Sequence, residues 1–123
     1  MSIIGNLLTC ASLITVDGAT VRCDGQLLRP MGPGRPGVDG FDTPETRTPE
    51  CNNEARVAGL AMARMAELIE TPGLKIIDSA EIDDFGRPLV WLMLPGGETI
   101  GEVLLREGLA QPWPNVGNVW CEE

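Results

Sequence analysis

The chain has 123 residues, 43 % of them apolar, with 18 acidic residues against 9 basic and a net charge of −9. That length suits one domain with one core, and that apolar content excludes wholesale disorder. The acidic balance excludes the basic face of a non-specific nucleic-acid binder, and no apolar run approaches the roughly 20 residues of a membrane span.

The start, Met1 to Val16, carries no Lys or Arg and so lacks the positive n-region of a secretory signal. It reads instead as a first strand over Leu7 to Val16, although a mature secreted form, already cleaved, is compatible with it. Asp17-Gly18 and Asp24-Gly25 are hairpin turn signals, with a short strand Thr20 to Cys23 between them. Gln26 to Met31 is a third strand, which makes a meander. Gly32 to Gly40 holds Pro33, Gly34, Arg35, Pro36 and Gly37 and reads as an irregular loop.

Asn53 to Glu70 is the one long helix. Val57, Leu60, Ala61, Met65 and Leu68 recur by three- and four-residue steps on one face, Asn52 or Asn53 caps the start, and Pro72-Gly73 ends it. Leu74 to Ile82 and Pro88 to Leu94 are strands joined by Asp83-Asp84-Phe85-Gly86. Thr99 to Glu107 is a short second helix closed by Gly108. The tail, Leu109 to Glu123, reads as a surface segment. The expected fold is mainly β (α+β): a single domain over 1–123 built as a five-stranded OB-fold barrel with one long and one short helix.

The chain has no His and no Tyr, which removes His acid–base chemistry, Ser-His-Asp triads and the common zinc sites. The cysteines, Cys10, Cys23, Cys51 and Cys121, form no C-x-x-C pair, so zinc is not expected. A bridge from Cys51 to Cys121 can pin the tail; buried free thiols are the alternative. Eight of the nine basic residues are Arg, with Lys75 alone as lysine, so an anion must be handled locally by a few guanidinium groups.

The sharpest motif is Asp42-Thr43-Pro44-Glu45. Pro44 fixes its own φ and biases Thr43 toward an extended shape, so the Asp42 carboxylate and the Thr43 carbonyl are hard oxygens on a preset backbone, suited to Ca²⁺ or, less well, Mg²⁺. Glu45 can orient or deprotonate a water, and Arg87, at a turn tip, can grip a phosphate. Each piece also has a plain reading: Asp-Thr-Pro-Glu makes a good helix N-cap, and a turn arginine is commonly just solvated.

Taken in order, Val16-Asp17-Gly18-Ala19-Thr20, Phe41-Asp42-Thr43-Pro44-Glu45, Asp84-Phe85-Gly86-Arg87-Pro88-Leu89 and Glu107-Gly108-Leu109-Ala110 resemble the staphylococcal nuclease (thermonuclease) family over about Leu13 to Trp113. The resemblance implies an OB-fold domain with calcium-dependent cleavage of DNA and RNA phosphodiesters. It implies Asp42 as the principal metal carboxylate with the Thr43 carbonyl beside it, Glu45 acting on the attacking water, Arg87 on the scissile phosphate, and Asp17 as the first aspartate of an Asp-Gly-Asp-Thr turn.

Two departures stand out. The second aspartate of that turn, a direct metal ligand in the family, is Ala19 here, and a methyl group cannot coordinate an ion. The family's other phosphate arginine falls at Gly37; Arg29, on the third strand, is the preferred substitute and Arg35 the other candidate. The base-stacking tyrosines are absent, and Phe85 keeps a ring without a hydroxyl. The sequence therefore predicts a weakened, monomeric, calcium-dependent nuclease acting on DNA or RNA. The alternative is an inactive barrel that binds a basic protein partner.

Overall fold

A computed structural model describes residues 6–32, 40–114 and 117–122. The fold is α+β, mostly strands with two helices. Among the described residues eight strands run β1 (Asn6–Leu8), β2 (Leu13–Asp17), β3 (Thr20–Cys23), β4 (Gln26–Pro30), β5 (Gly40–Asp42), β6 (Lys75–Ile82), β7 (Pro88–Met93) and β8 (Gln111–Trp113). Helix α1 (Asn52–Leu68) lies between β5 and β6, and α2 (Ile100–Arg106) between β7 and β8. Among the described residues no helix is long and apolar enough to cross a membrane.

Six strands form one mixed sheet in the order β1-β6-β7-β4-β3-β2, while β5 and β8 pair separately. The β2-β3-β4 meander is antiparallel throughout, and β4 meets β7 in parallel through Arg29 to Leu89 and Pro30 to Val90. The two edge strands, β1 and β2, are neighbours in sequence. From Leu8 to Leu13 the chain spans at most about 17 Å, whereas the edges of a flat six-stranded sheet lie about 24 Å apart. The sheet must therefore curl, although no strand pairing closes it into a barrel among the described residues.

The long first strand expected over Leu7 to Val16 is in fact two strands with a corner between them. The cause is local. Both Asp24 carboxylate oxygens accept from the corner, from the Ala11 amide at 3.1 Å and the Ser12 amide at 2.7 Å, and Cys10 is disulfide-bonded to Cys23. Asp24 and Gly25 both carry positive φ, at 48° and 90°, as the two-residue hairpin turn requires. Strand β6 carries a register shift between Asp78 and Ile82, with Ala80 at φ 70°. Such a bulge bends its strand and re-aims the residues that follow, here Ile82 and Asp83.

Helix α1 buries Glu54, Val57, Ala58, Ala61, Met65 and Leu68. Leu60 was expected on that face and is 49 % exposed. At 100° per residue it sits a quarter turn from Ala61, at the edge of the stripe. The N-cap is Cys51, not Asn52 or Asn53, and its sulfur accepts from the Glu54 amide at 3.4 Å. Helix α2 opens with a Thr99–Glu102 capping box and ends before Gly108 at φ 75°. A two-point pair, Arg64 to Glu107 at 2.8 and 2.9 Å, ties α1 to the end of α2.

The core gathers Val21, Leu28, Phe41, Met65, Val90, Leu92, Ile100 and Leu104, all fully buried or nearly so. The tail does more than cross the surface: Gln111 to Trp113 pairs with β5, and Cys121 is bonded to Cys51. Both disulfides form, and no described cysteine is free. The loop expected to contain Arg35 and Gly37, apart from its ends, lies outside the described residues, as does the start of the chain before Asn6.

Candidate phosphodiester site

One cavity of about 490 Å³ opens where five segments converge, β8 among them through Trp113. The β2–β3 turn contributes Asp17, Ala19 and Thr20. Strand β4 contributes Arg29. Strand β5 and the corner after it contribute Asp42, Thr43, Pro44 and Glu45, and the β6–β7 hairpin contributes Asp83, Asp84, Phe85 and Arg87. The cavity thus gathers every residue that the sequence singled out for chemistry, apart from Arg35. Carboxylates outnumber guanidinium groups on its wall by five to two.

Arg29 ties the site together. Its Nη1 donates to the Ala19 carbonyl at 2.9 Å and its Nη2 to the Phe41 carbonyl at 2.5 Å, and it lies over the Phe41 ring at 5.6 Å. Burial pushes its pKa down from the usual value and Arg87 adds to this, while Asp42, Asp17 and Asp83 act in the other direction. A guanidinium stays charged under any such shift, so the half-buried Arg29 remains a cation. Gly18 makes the other link between turn and corner. A Cβ there would stand 3.0 Å from side-chain atoms of both Thr43 and Ala61, so glycine lets the turn seat against them without displacing either.

Arg87 is braced within its own hairpin. Its Nε donates to Asp83 at 2.7 Å, its backbone amide to the same carboxylate at 2.8 Å, and its Nη1 to the Thr20 hydroxyl at 3.3 Å. Burial pushes the Asp83 pKa up, but the hydrogen bonds from Arg87 and Phe85 and the Arg87 charge outweigh it and hold the group below its ordinary value. The guanidinium is therefore aimed by a charged partner, and it also lies 5.5 Å from the centre of the Phe85 ring. That ring is 84 % exposed at the hairpin tip.

The corner is anchored from beneath. Thr43 is buried, while Glu45 is exposed at the rim. The Glu45 amide donates to Glu54 Oε2 at 3.0 Å. Glu54 Oε1 accepts from the Glu50 amide at 2.7 Å and from Asn118 Nδ2 at 2.9 Å. Burial raises the Glu54 pKa, and these three hydrogen bonds more than reverse that, leaving it lowered. The plain capping reading of Asp-Thr-Pro-Glu does not apply, because α1 begins only after Cys51.

Sequence reasoning missed Glu54, Asp83 and Thr20 as parts of this site. Glu54 did carry a signal, since it stands three residues after the cap, where a capping glutamate is expected. Its side chain turns instead to amides upstream. Asp83 stands four residues before Arg87, a spacing read only as turn chemistry.

Whether the wall suits a divalent ion follows from its donors. Asp42 accepts no hydrogen bond from any described residue and is free to ligate, with the Thr43 carbonyl next in the chain. Asp17 is partly engaged, because its Oδ1 accepts from the Ala19 amide at 2.8 Å. The methyl of Ala19 belongs to both the cavity wall and the core. Among the described residues no group of three or more acidic, cysteine or histidine side chains forms a cage. This set fits an ion that completes its shell with water and a phosphate rather than one caged by protein. Searches of protein-family models and of curated proteins found no match to this chain.

Proposed function

We propose that this chain is a thermonuclease-like domain that binds a nucleic-acid phosphodiester and hydrolyses it weakly, with calcium as the assisting ion. The observation that carries the reading is that Asp42, Thr43, Glu45, Arg29 and Arg87, spread over nearly half the chain, line one cavity. A phosphate entering it meets guanidinium donors from two elements, one braced by Asp83 and one by backbone carbonyls. Glu45, exposed at the rim, is the group available to orient and deprotonate a water. Calcium, held by Asp42 and the Thr43 carbonyl, would supply Lewis-acid polarisation of a phosphoryl oxygen.

The charge of the wall explains why a cation belongs in this reading. Five carboxylates against two guanidinium groups repel a polyanion, so nucleic acid gains entry only where a cation offsets that repulsion. Ala19 explains the weakness, since ion affinity follows the number of anionic ligands. The fold reading goes further than the observed sheet: β2, β3, β4, β7 and β6 form the OB-fold barrel, with the β1–β2 corner completing its curl. The sheet order and the short link between its edges support that reading.

The test is cleavage of single-stranded DNA by purified protein with calcium. Hydrolysis by the native chain should exceed that of an Asp42→Ala variant, and equal rates would remove the enzymatic reading. Ala19 and the acid-rich wall favour one second reading, an inactive module that binds a basic protein segment. Its mark is calcium-independent binding of an Arg/Lys-rich peptide by a chain that never cleaves.

A further inference from the structure

Glu45 lines the cavity, exposed, with a carboxylate that takes no hydrogen bond from any described residue, so the restraints on it among the described residues act through its main chain. Pro44 stiffens one side of that main chain. The other restraint is the amide bond to Glu54 Oε2. Glu54 is only 3 % exposed, and a buried carboxylate persists only where its lone pairs are filled. Three donors fill them, from the corner, from the loop before α1 and from the C-terminal tail.

The tail's contribution is itself oriented. The Trp120 amide donates to Asn118 Oδ1 at 3.1 Å, which turns the Asn118 Nδ2 toward Glu54. Asn53 Nδ2 donates to the Trp120 carbonyl at 2.8 Å, and Cys121 is bonded to Cys51, the cap of α1. The start of the helix, the tail and the corner thus meet at one carboxylate.

We propose that Glu54 is a positioning residue for Glu45, and that the Cys51–Cys121 bridge keeps Asn118 seated on it. The proposal rests on the reading of Glu45 as the water-orienting group. Its structural half stands apart from that reading and is tested separately.

Two variants of the full chain carry the test. In Glu54→Gln the single remaining acceptor oxygen faces the two donors Glu50 and Asn118, and the new amide group faces the Glu45 amide. The Glu45 amide proton should then lose the downfield NMR shift that a carboxylate hydrogen bond imposes. With calcium and a single-stranded oligonucleotide, kcat should fall about tenfold, the scale of one lost charge-assisted hydrogen bond, with KM within about twofold because Arg29 and Arg87 are untouched. In Cys51→Ser/Cys121→Ser, serine preserves the helix cap while the staple is lost. The Asn118 side-chain amide signal and the Glu45 amide should both move, and kcat should fall less than in Glu54→Gln.

An unmoved Glu45 amide in Glu54→Gln, or a loss carried by KM rather than kcat, overturns the positioning role. Unmoved Asn118 signals in the double variant overturn the part given to the bridge. If the native chain cleaves nothing, the functional reading falls and Glu45's catalytic role with it, while the NMR arm still decides whether Glu54 anchors the corner.

Discussion

In the proposed function, Ala19 is the residue on which activity would turn. Its amide and carbonyl are both engaged, by Asp17 and Arg29, so the turn is shaped as the site needs while the side chain offers no ligand. Ala19→Asp should raise calcium affinity by calorimetry and raise the calcium-dependent rate at least ~100-fold, the scale of one major electrostatic contributor. A flat rate with tighter calcium would place the defect elsewhere. The carboxylates make a second prediction. Glu54 and Asp83 both have folded pKa values below their ordinary ones, 4.5 and 3.8. Their stabilisation is complete above those ordinary values and is lost as pH falls through the lowered folded values. Denaturant midpoints should therefore hold steady above about pH 5 and drop below about pH 4.5, and Glu54→Gln should flatten part of that drop. That Asp42, Thr43, Glu45, Arg29 and Arg87 belong together was legible from the order of their motifs, from the charged side chains of four of them and from the Thr43 carbonyl beside Pro44. Thr20 was not, because the Arg87 it meets lies 67 residues away, and the capping signal at Glu54 gave no hint that its side chain would turn back to the Glu45 and Glu50 amides and to the distant Asn118.

At the scale of elements, α2 sits very close to β5. A Cβ on Gly101 would come within 2.6 Å of the Phe41 ring and 3.0 Å of the Gly32 Cα, so glycine here is a packing requirement. An alanine in a helix interior ordinarily gains up to about 1 kcal/mol over glycine. Overpacking a filled site costs about 1–3 kcal/mol, and the Phe41 ring is fully buried, with the Gly32 main chain beside it. The second effect wins, so Gly101→Ala should lower Tm by several degrees in a thermal melt. Helix positions were legible from periodicity to within two residues at either end. The split of the first strand was not, because the Asp24 carboxylate and the Cys10–Cys23 bridge that make the corner act across a hairpin. The β5–β8 pair was hidden for a similar reason: three-residue strands leave no period to read.

At the scale of the molecule, the Cys51–Cys121 bridge closes a separation of 70 residues and staples the tail to the helix that supports the corner. In the chain-entropy account a loop of that length is worth roughly 4 kcal/mol. Cys51→Ser/Cys121→Ser should lose about that much in urea denaturation and still fold, since domains of this kind typically have 5–15 kcal/mol in hand. The amino-acid sequence on its own determined the α+β class, the two helices, the hairpin turns and the residue types available for chemistry. All of these follow from local periodicity, from backbone preferences of Gly, Pro and Asp, and from the absence of His and Tyr. Tertiary structure alone decided that a turn, a strand end, a corner and a hairpin share one cavity, that Arg29 bridges two of them, and that a buried glutamate joins the corner to the tail. Such contacts depend on how a curled sheet brings distant backbone groups together, and a linear pattern carries no record of that distance.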